Sequence, residues 1–125
     1  MKIELKDIGF ADCPVIETKI NLQSDSVIII FDGANYSTEQ ESIGKFKLSI
    51  TKWLEFIITK NLYDNVTDQS KTIILEHDKL ETFTLIQELF FKNNTFILNG
   101  WSLESGSWLT YEFNFPEVEV EKLNS

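Results

Sequence analysis

The amino-acid sequence predicts a β-rich α+β domain: an antiparallel β-sandwich or curved sheet of about seven to nine strands, with one packed helix at about residues 79–91. Three observations lead there. Apolar and polar residues alternate in most segments, the period of a strand with one face in a core. Only between residues 79 and 91 do apolar residues recur at spacings of three and four. Ten Phe and three Trp among 125 residues supply enough volume for one core, so residues 1–125 are read as a single domain.

From the N-terminus, residues 2–6 alternate, with Ile3 and Leu5 on one face, and residues 9–14 break the pattern. Ile16, Thr18, Ile20 and Leu22 share a face of a second strand, which ends at the turn cluster Ser24-Asp25-Ser26. Residues 27–31 are apolar throughout and mostly β-branched, which predicts a central strand covered on both faces. Asp32-Gly33-Ala34-Asn35 then opens a polar loop that runs to Gly44. The next strand is the cleanest: Phe46, Leu48 and Ile50 point inward, while Lys45, Lys47 and Ser49 point outward. Past Lys52 the phase changes, with Trp53, Leu54, Phe56 and Ile58 inward by residue type, so a bulge or corner is expected near Thr51-Lys52. Residues 61–70 read as loop, and 72–76 as a short strand around Ile73 and Leu75.

The helix is predicted from Leu80, Phe83, Ile86 or Leu85, Leu89 and Phe90, with Asp78 as N-cap, Glu81 as its capping-box partner and Asn93-Asn94 as terminator. Phe83 and Thr84 are weak helix formers, so a strand across 82–86 is the competing reading. Residues 95–103 and 107–115 form a hairpin turning at Ser105-Gly106, which sets Leu103 opposite Trp108 and Trp101 opposite Thr110. Its core side carries Phe96, Leu98, Leu109, Tyr111, Phe113 and Phe115. Its other side carries Ile97, Asn99, Trp101, Leu103, Trp108, Thr110 and Glu112. Pro116 leads into an acidic edge strand over 117–121.

All eleven basic residues are lysines, set against twenty carboxylates, for a net charge of -9. Such a chain is repelled by nucleic-acid phosphates and anionic lipid and is attracted to basic surfaces. Without arginine it has no bidentate clamp on phosphate. The single Cys13 excludes an intramolecular disulfide. With no secretory signal pattern and no apolar run of membrane-spanning length, a cytoplasmic protein is expected.

No motif carries catalysis. His77, the one histidine, stands between Glu76 and Asp78, but strand neighbours point to opposite faces, so adjacency does not make a base oriented by a carboxylate. Cys13 lacks the context that lowers a thiol pKa. One Cys and one His cannot fill a zinc site, and neither Asp7 with Asp12 nor Asp64 with Asp68 matches a calcium loop. The five glycines are scattered and form no phosphate loop. The expectation is therefore no enzyme, no cofactor and no metal.

Two features point to binding instead. The segment 32–44 carries Asp32, Tyr36, Glu39 and Glu41 and no cation, the composition a basic partner engages by steering and then by an aromatic anchor. Trp101, Leu103 and Trp108 cluster on the non-core side of the last hairpin, where a group of exposed aromatics marks an interface unless the helix or a second sheet covers it. Asp32, Tyr36, Glu39, Glu41, Trp101 and Trp108 are the candidate partner-binding residues.

The segment Gly44-Lys45-Phe46-Lys47-Leu48-Ser49-Ile50-Thr51-Lys52-Trp53, together with Leu98-Asn99-Gly100-Trp101 and Ser105-Gly106-Ser107-Trp108, resembles the cytoplasmic immunity proteins of bacterial contact-dependent growth inhibition and polymorphic toxin systems. The resemblance implies a bacterial toxin inhibitor acting by protein–protein interaction on a cognate toxin domain. It implies no individual binding residue. The competing class is a carbohydrate-binding β-sandwich module, with Trp101, Trp108 and Tyr111 stacking on sugar rings. Against it, Tyr111 falls on the opposite side of the hairpin from the two tryptophans. A small enzyme using His77 is the third class.

Overall fold

The computed structural model describes residues 2–3, 8–9, 13–36, 42–64 and 69–123, with side chains described for 13–32, 44–62 and 71–123. Their strands are β1 (Lys2–Ile3), β2 (Ile8–Gly9), β3 (Cys13–Asn21), β4 (Ser26–Tyr36), β5 (Ser42–Thr51), β6 (Glu55–Asp64), β7 (Gln69–Ile74), β8 (Phe83–Lys92), β9 (Thr95–Ser102), β10 (Trp108–Asn114) and β11 (Glu117–Lys122). They form one open antiparallel sheet in the order β1-β11-β5-β4-β3-β8-β9-β10-β6-β7, with β2 attached to β4.

No helix occurs among the described residues, which overturns the α+β expectation: the protein is all-β. Residues 83–92, expected to be helical, are β8. The misleading period has a specific cause. The β8–β9 register shifts between Phe83 and Leu85 and again between Ile86 and Glu88. Each bulge inserts one residue and so stretches an inward spacing of two to three. Phe83, Ile86 and Leu89 therefore all face inward from a strand while mimicking a helical stripe. Asn93-Asn94, expected to end a helix, is instead the two-residue turn joining Lys92 to Thr95, with Asn93 at φ 57°, the left-handed conformation that tight hairpins need.

The sheet has two halves. β11, β5 and β4 lie in one; β8, β9, β10, β6 and β7 lie in the other. β3 joins them: Cys13 and Pro14 pair with Ile86 and Leu85 of β8, and Val15 onward pairs with β4. A register shift between Val15 and Glu17 marks this corner, the usual device by which a strand passes from one layer to the next. It also turns Ile16 outward, to 51% exposure, against the expectation that it shared the inward face.

Val27, Ile29 and Phe31 of β4, Phe46, Leu48 and Ile50 of β5, and Phe96, Leu98, Leu109, Tyr111, Phe113 and Ile58 of the other half are all fully buried in one cluster. A sheet face reaches zero exposure only under a second layer. With no helix among the described residues, the two halves cover one another. The phase change near Thr51-Lys52 is the crossover between them: Lys52 has φ 55°, its amide donates to the Asp25 carbonyl, and Trp53 turns back into the core against Phe113. Leu54, expected inward, is 79% exposed, because the inward phase resumes at Phe56.

Two expected loops are shorter than predicted. β4 continues to Tyr36 and β5 begins at Ser42, so Asp32 and Tyr36 belong to a strand. β6 runs to Asp64 and β7 starts at Gln69, within the span read as loop. Phe115, expected on the core side, is 58% exposed at φ 52°, where the chain bends out of β10 toward Pro116. The acidic strand β11 is not a bare edge: it pairs along β5, and Lys2-Ile3 of β1 pairs with Glu121 and Val120.

Candidate functional site

Strand register places the last hairpin's tryptophans together. Trp108 pairs directly with Trp101 and Leu109 with Gly100, two residues away from the expected register. The shift preserves the faces, since strand side chains repeat every two residues. It lengthens the turn to Leu103–Gly106, closed by the Ser102 amide on the Ser107 carbonyl at 2.8 Å. The two indoles meet edge to face at 5.0 Å between centroids, and Trp101 is 42% exposed. Leu85 of β8 lies opposite Trp101 on its other side, and Asn61 of β6 lies opposite Trp108.

The same registers order the rest of this outer face into bands across the strands. Beyond the Leu85–Trp101–Trp108 band comes Glu88–Asn99–Thr110, tied by hydrogen bonds: the Thr110 hydroxyl donates to Asn99 Oδ1 at 2.6 Å, and Asn99 Nδ2 donates to Glu88 Oε1 at 2.6 Å. Next is the apolar band of Phe90, Ile97 and Ile57, interrupted by Glu112 between the last two. The last band repeats the polar chemistry: the Thr95 hydroxyl donates to Asn114 Oδ1 at 2.8 Å, and Asn114 Nδ2 donates to Glu55 Oε1 at 3.1 Å. Each hydrogen-bonded band ends on a carboxylate.

On the inner side, at the tryptophan end, lies a buried polar cluster that the sequence did not reveal. Glu81, expected to cap a helix, accepts from Lys60 Nζ at 2.5 Å, from Ser102 Oγ at 2.6 Å and from Ser105 Oγ at 2.5 Å. Burial pushes its carboxyl pKa up. The Lys60 contact and the two hydroxyl bonds outweigh that, and the net value lies below the ordinary carboxylate value. Tyr111 donates to the Glu81 backbone carbonyl; burial, then the charges of Glu104 and Glu81, raise its phenol pKa. Glu104 in turn accepts from the amide and hydroxyl of Thr82 at 2.7 and 2.8 Å. These bonds fasten the 103–106 turn to the segment before β8 and so fix the turn beside Trp101. One sequence signal could have found the cluster: Lys60 continues the inward phase of Phe56 and Ile58, and an inward lysine requires a buried partner.

The six expected partner-binding residues are not gathered in one place. Asp32 is an exposed β4 residue, and Tyr36 ends that strand opposite Ile8. Glu39 and Glu41 lie outside the described residues. Trp101 and Trp108 sit on β9 and β10, separated from β4 in the strand order by β3 and β8.

His77 shows no catalytic geometry: Nε2 donates to the Phe56 carbonyl at 3.1 Å, and the ring leans on Phe56 at 5.9 Å. We expect His77→Ala to cost about 1 kcal/mol in urea denaturation and to leave partner binding unchanged. Loss of function at unchanged stability would restore the imidazole as a functional group. No group of three or more His, Cys, Asp or Glu placed to hold a metal occurs among the described residues, nor any helix long and apolar enough to cross a membrane. Comparison with protein-family models, curated proteins and solved structures gives no match to this chain.

Proposed function

We propose that this protein is an acidic binding protein of the immunity type, which neutralises a cognate bacterial toxin in the cytoplasm by occupying its basic face, without catalysis of its own. One observation carries the reading: Trp101 is left 42% exposed beside the half-buried Trp108. The segment expected to shield it as a helix is β8, which lies beside β9 in the same sheet and extends the outer face instead of covering it. Toxins that act on nucleic acids are basic because their substrates are polyanions. A net charge of -9 speeds encounter with such a surface, and exposed aromatics supply the anchor once contact is made.

The carbohydrate-module alternative fits this geometry less well. The indole planes stand at 78°, so they offer no shared flat platform, and Tyr111 is fully buried on the opposite face.

The test is co-purification with the product of the adjacent upstream gene, followed by stopped-flow association across a salt series. We expect the association rate to fall by about tenfold or more between about 0.02 and 0.5 M salt. The combined variant Asp32→Asn, Glu39→Gln, Glu41→Gln should slow association with little effect on dissociation. A rate indifferent to salt contradicts steering by charge.

A further inference from the structure

We infer that the outer face of β8, β9, β10 and β6 is the docking surface, and that its occupant is a basic protein surface presenting an arginine onto the Trp101–Trp108 pair within reach of Glu88. This deepens the binding reading above and rests on it. Three observations combine. First, Trp101 is 42% exposed, meets the half-buried Trp108 edge to face and is bordered by Leu85, a partly apolar seat for a guanidinium. Second, the next band, about 7 Å away by strand geometry, holds the Glu88 carboxylate fixed by Asn99, which Thr110 fixes in turn. Third, the charges described on this face are Glu55, Glu88 and Glu112 against Lys92 alone, and Lys92 lies in the far band opposite Thr95.

Guanidinium matches this chemistry better than any other side chain. Its faces stack on indole, and its edge donates to carboxylates. An ammonium is a strongly hydrated point charge and gains less from stacking. A second copy of this chain is a poor occupant: it contains no arginine, and a symmetric pairing would set Glu88 and Glu112 against carboxylates of the same kind. Nucleic acid is repelled by the same groups.

The test titrates the intact protein with a hexa-arginine peptide, with hexa-lysine as the comparison, and follows the backbone amide signals and the three indole N–H signals by NMR. Trp53 is 8% exposed and serves as the internal reference. We expect saturable shifts at Trp101 and Trp108 but not at Trp53, and tighter binding of hexa-arginine than of hexa-lysine. Trp108→Ala and Glu88→Gln should each weaken binding by about fivefold. Saturable shifts confined to β11, with Trp101 and Trp108 silent, would overturn this surface while leaving an acidic binder of basic partners. Absence of any saturable binding would sink both readings. A concentration-dependent dimer abolished by Trp101→Ala would assign the face to a second copy and likewise overturn the proposal.

Discussion

Gly100→Ala lowers the stability of the protein by about 3 kcal/mol or more, the largest effect expected of a methyl added at Gly44, Gly100 or Gly106. A Cβ at Gly100 would stand 2.1 Å from the Leu85 carbonyl oxygen, 2.9 Å from Ile86 Cα and 3.0 Å from a Phe83 ring carbon. Two of those three atoms are backbone of the adjacent strand, so no rotamer change relieves the clash. The close approach comes from the paired bulges of β8, which press that strand onto β9 where Leu109 flanks Gly100 from the other side. Gly106→Ala is the control. Gly106 has φ 72° and open space around its would-be Cβ, so only the cost of a left-handed alanine applies, about 1 kcal/mol. Urea denaturation should show a much lower midpoint for Gly100→Ala than for Gly106→Ala, with the slope unchanged. Equal losses would mean that β8 and β9 do not approach as described. Because Gly100 adjoins Trp101 and underlies Leu85, Gly100→Ala should also disturb the docking face. Gly106→Ala should leave it intact.

Glu81→Leu should cost about 3 kcal/mol, because it leaves the Lys60 ammonium, at 16% side-chain exposure, without its counter-ion. Lys60→Met should cost less. The stranded Glu81 carboxylate keeps its bonds from Ser102 and Ser105. The double variant should lose less than the sum of the two, since an apolar pair of similar volume replaces a desolvated ion pair. The effect also has a definite pH dependence. Glu81 is held below its ordinary value of 4.5, so its charged form is favoured in the folded state. The resulting stabilisation is complete above that ordinary value and is lost as pH falls through the lowered folded value. The stability gap between the parent and Glu81→Leu should therefore be widest near neutrality and narrow below about pH 4.5. A gap that widens on acidification would refute the ion pair as drawn.

These two variants bear on the same region because the polar cluster and the bulged strand together shape the tryptophan end of the sheet. Glu81, Ser102 and Ser105 hold the 103–106 turn, and Gly100 admits β8 close to β9. The candidate surface is thus a product of contacts that are remote in sequence. Lys60 lies 21 residues from Glu81, and Tyr111 lies 30 residues from it. Composition and alternation could place Trp101 and Trp108 on the uncovered side of a hairpin. They do not show that Glu88 joins them, because the bulge between Ile86 and Glu88 gives that segment a helical period in the sequence.

What the sequence determined by itself was its composition and the inward face of each strand whose alternation runs unbroken. Phe46, Leu48 and Ile50 face the core as their period requires, as do Phe96, Leu98, Leu109, Tyr111 and Phe113. The charge of -9 and the absence of arginine follow from counting alone. What only the tertiary structure decided was wherever the backbone leaves regular geometry. The bulges at β8 and β3 each add one residue and so change the apparent period, turning a strand into an imitation helix and carrying Ile16 outward. A bulge is stabilised by the neighbouring strand across its register, not by the residues around it in the chain, so where the pattern shows no change of phase like that at Thr51-Lys52, its position emerges only when strands are paired.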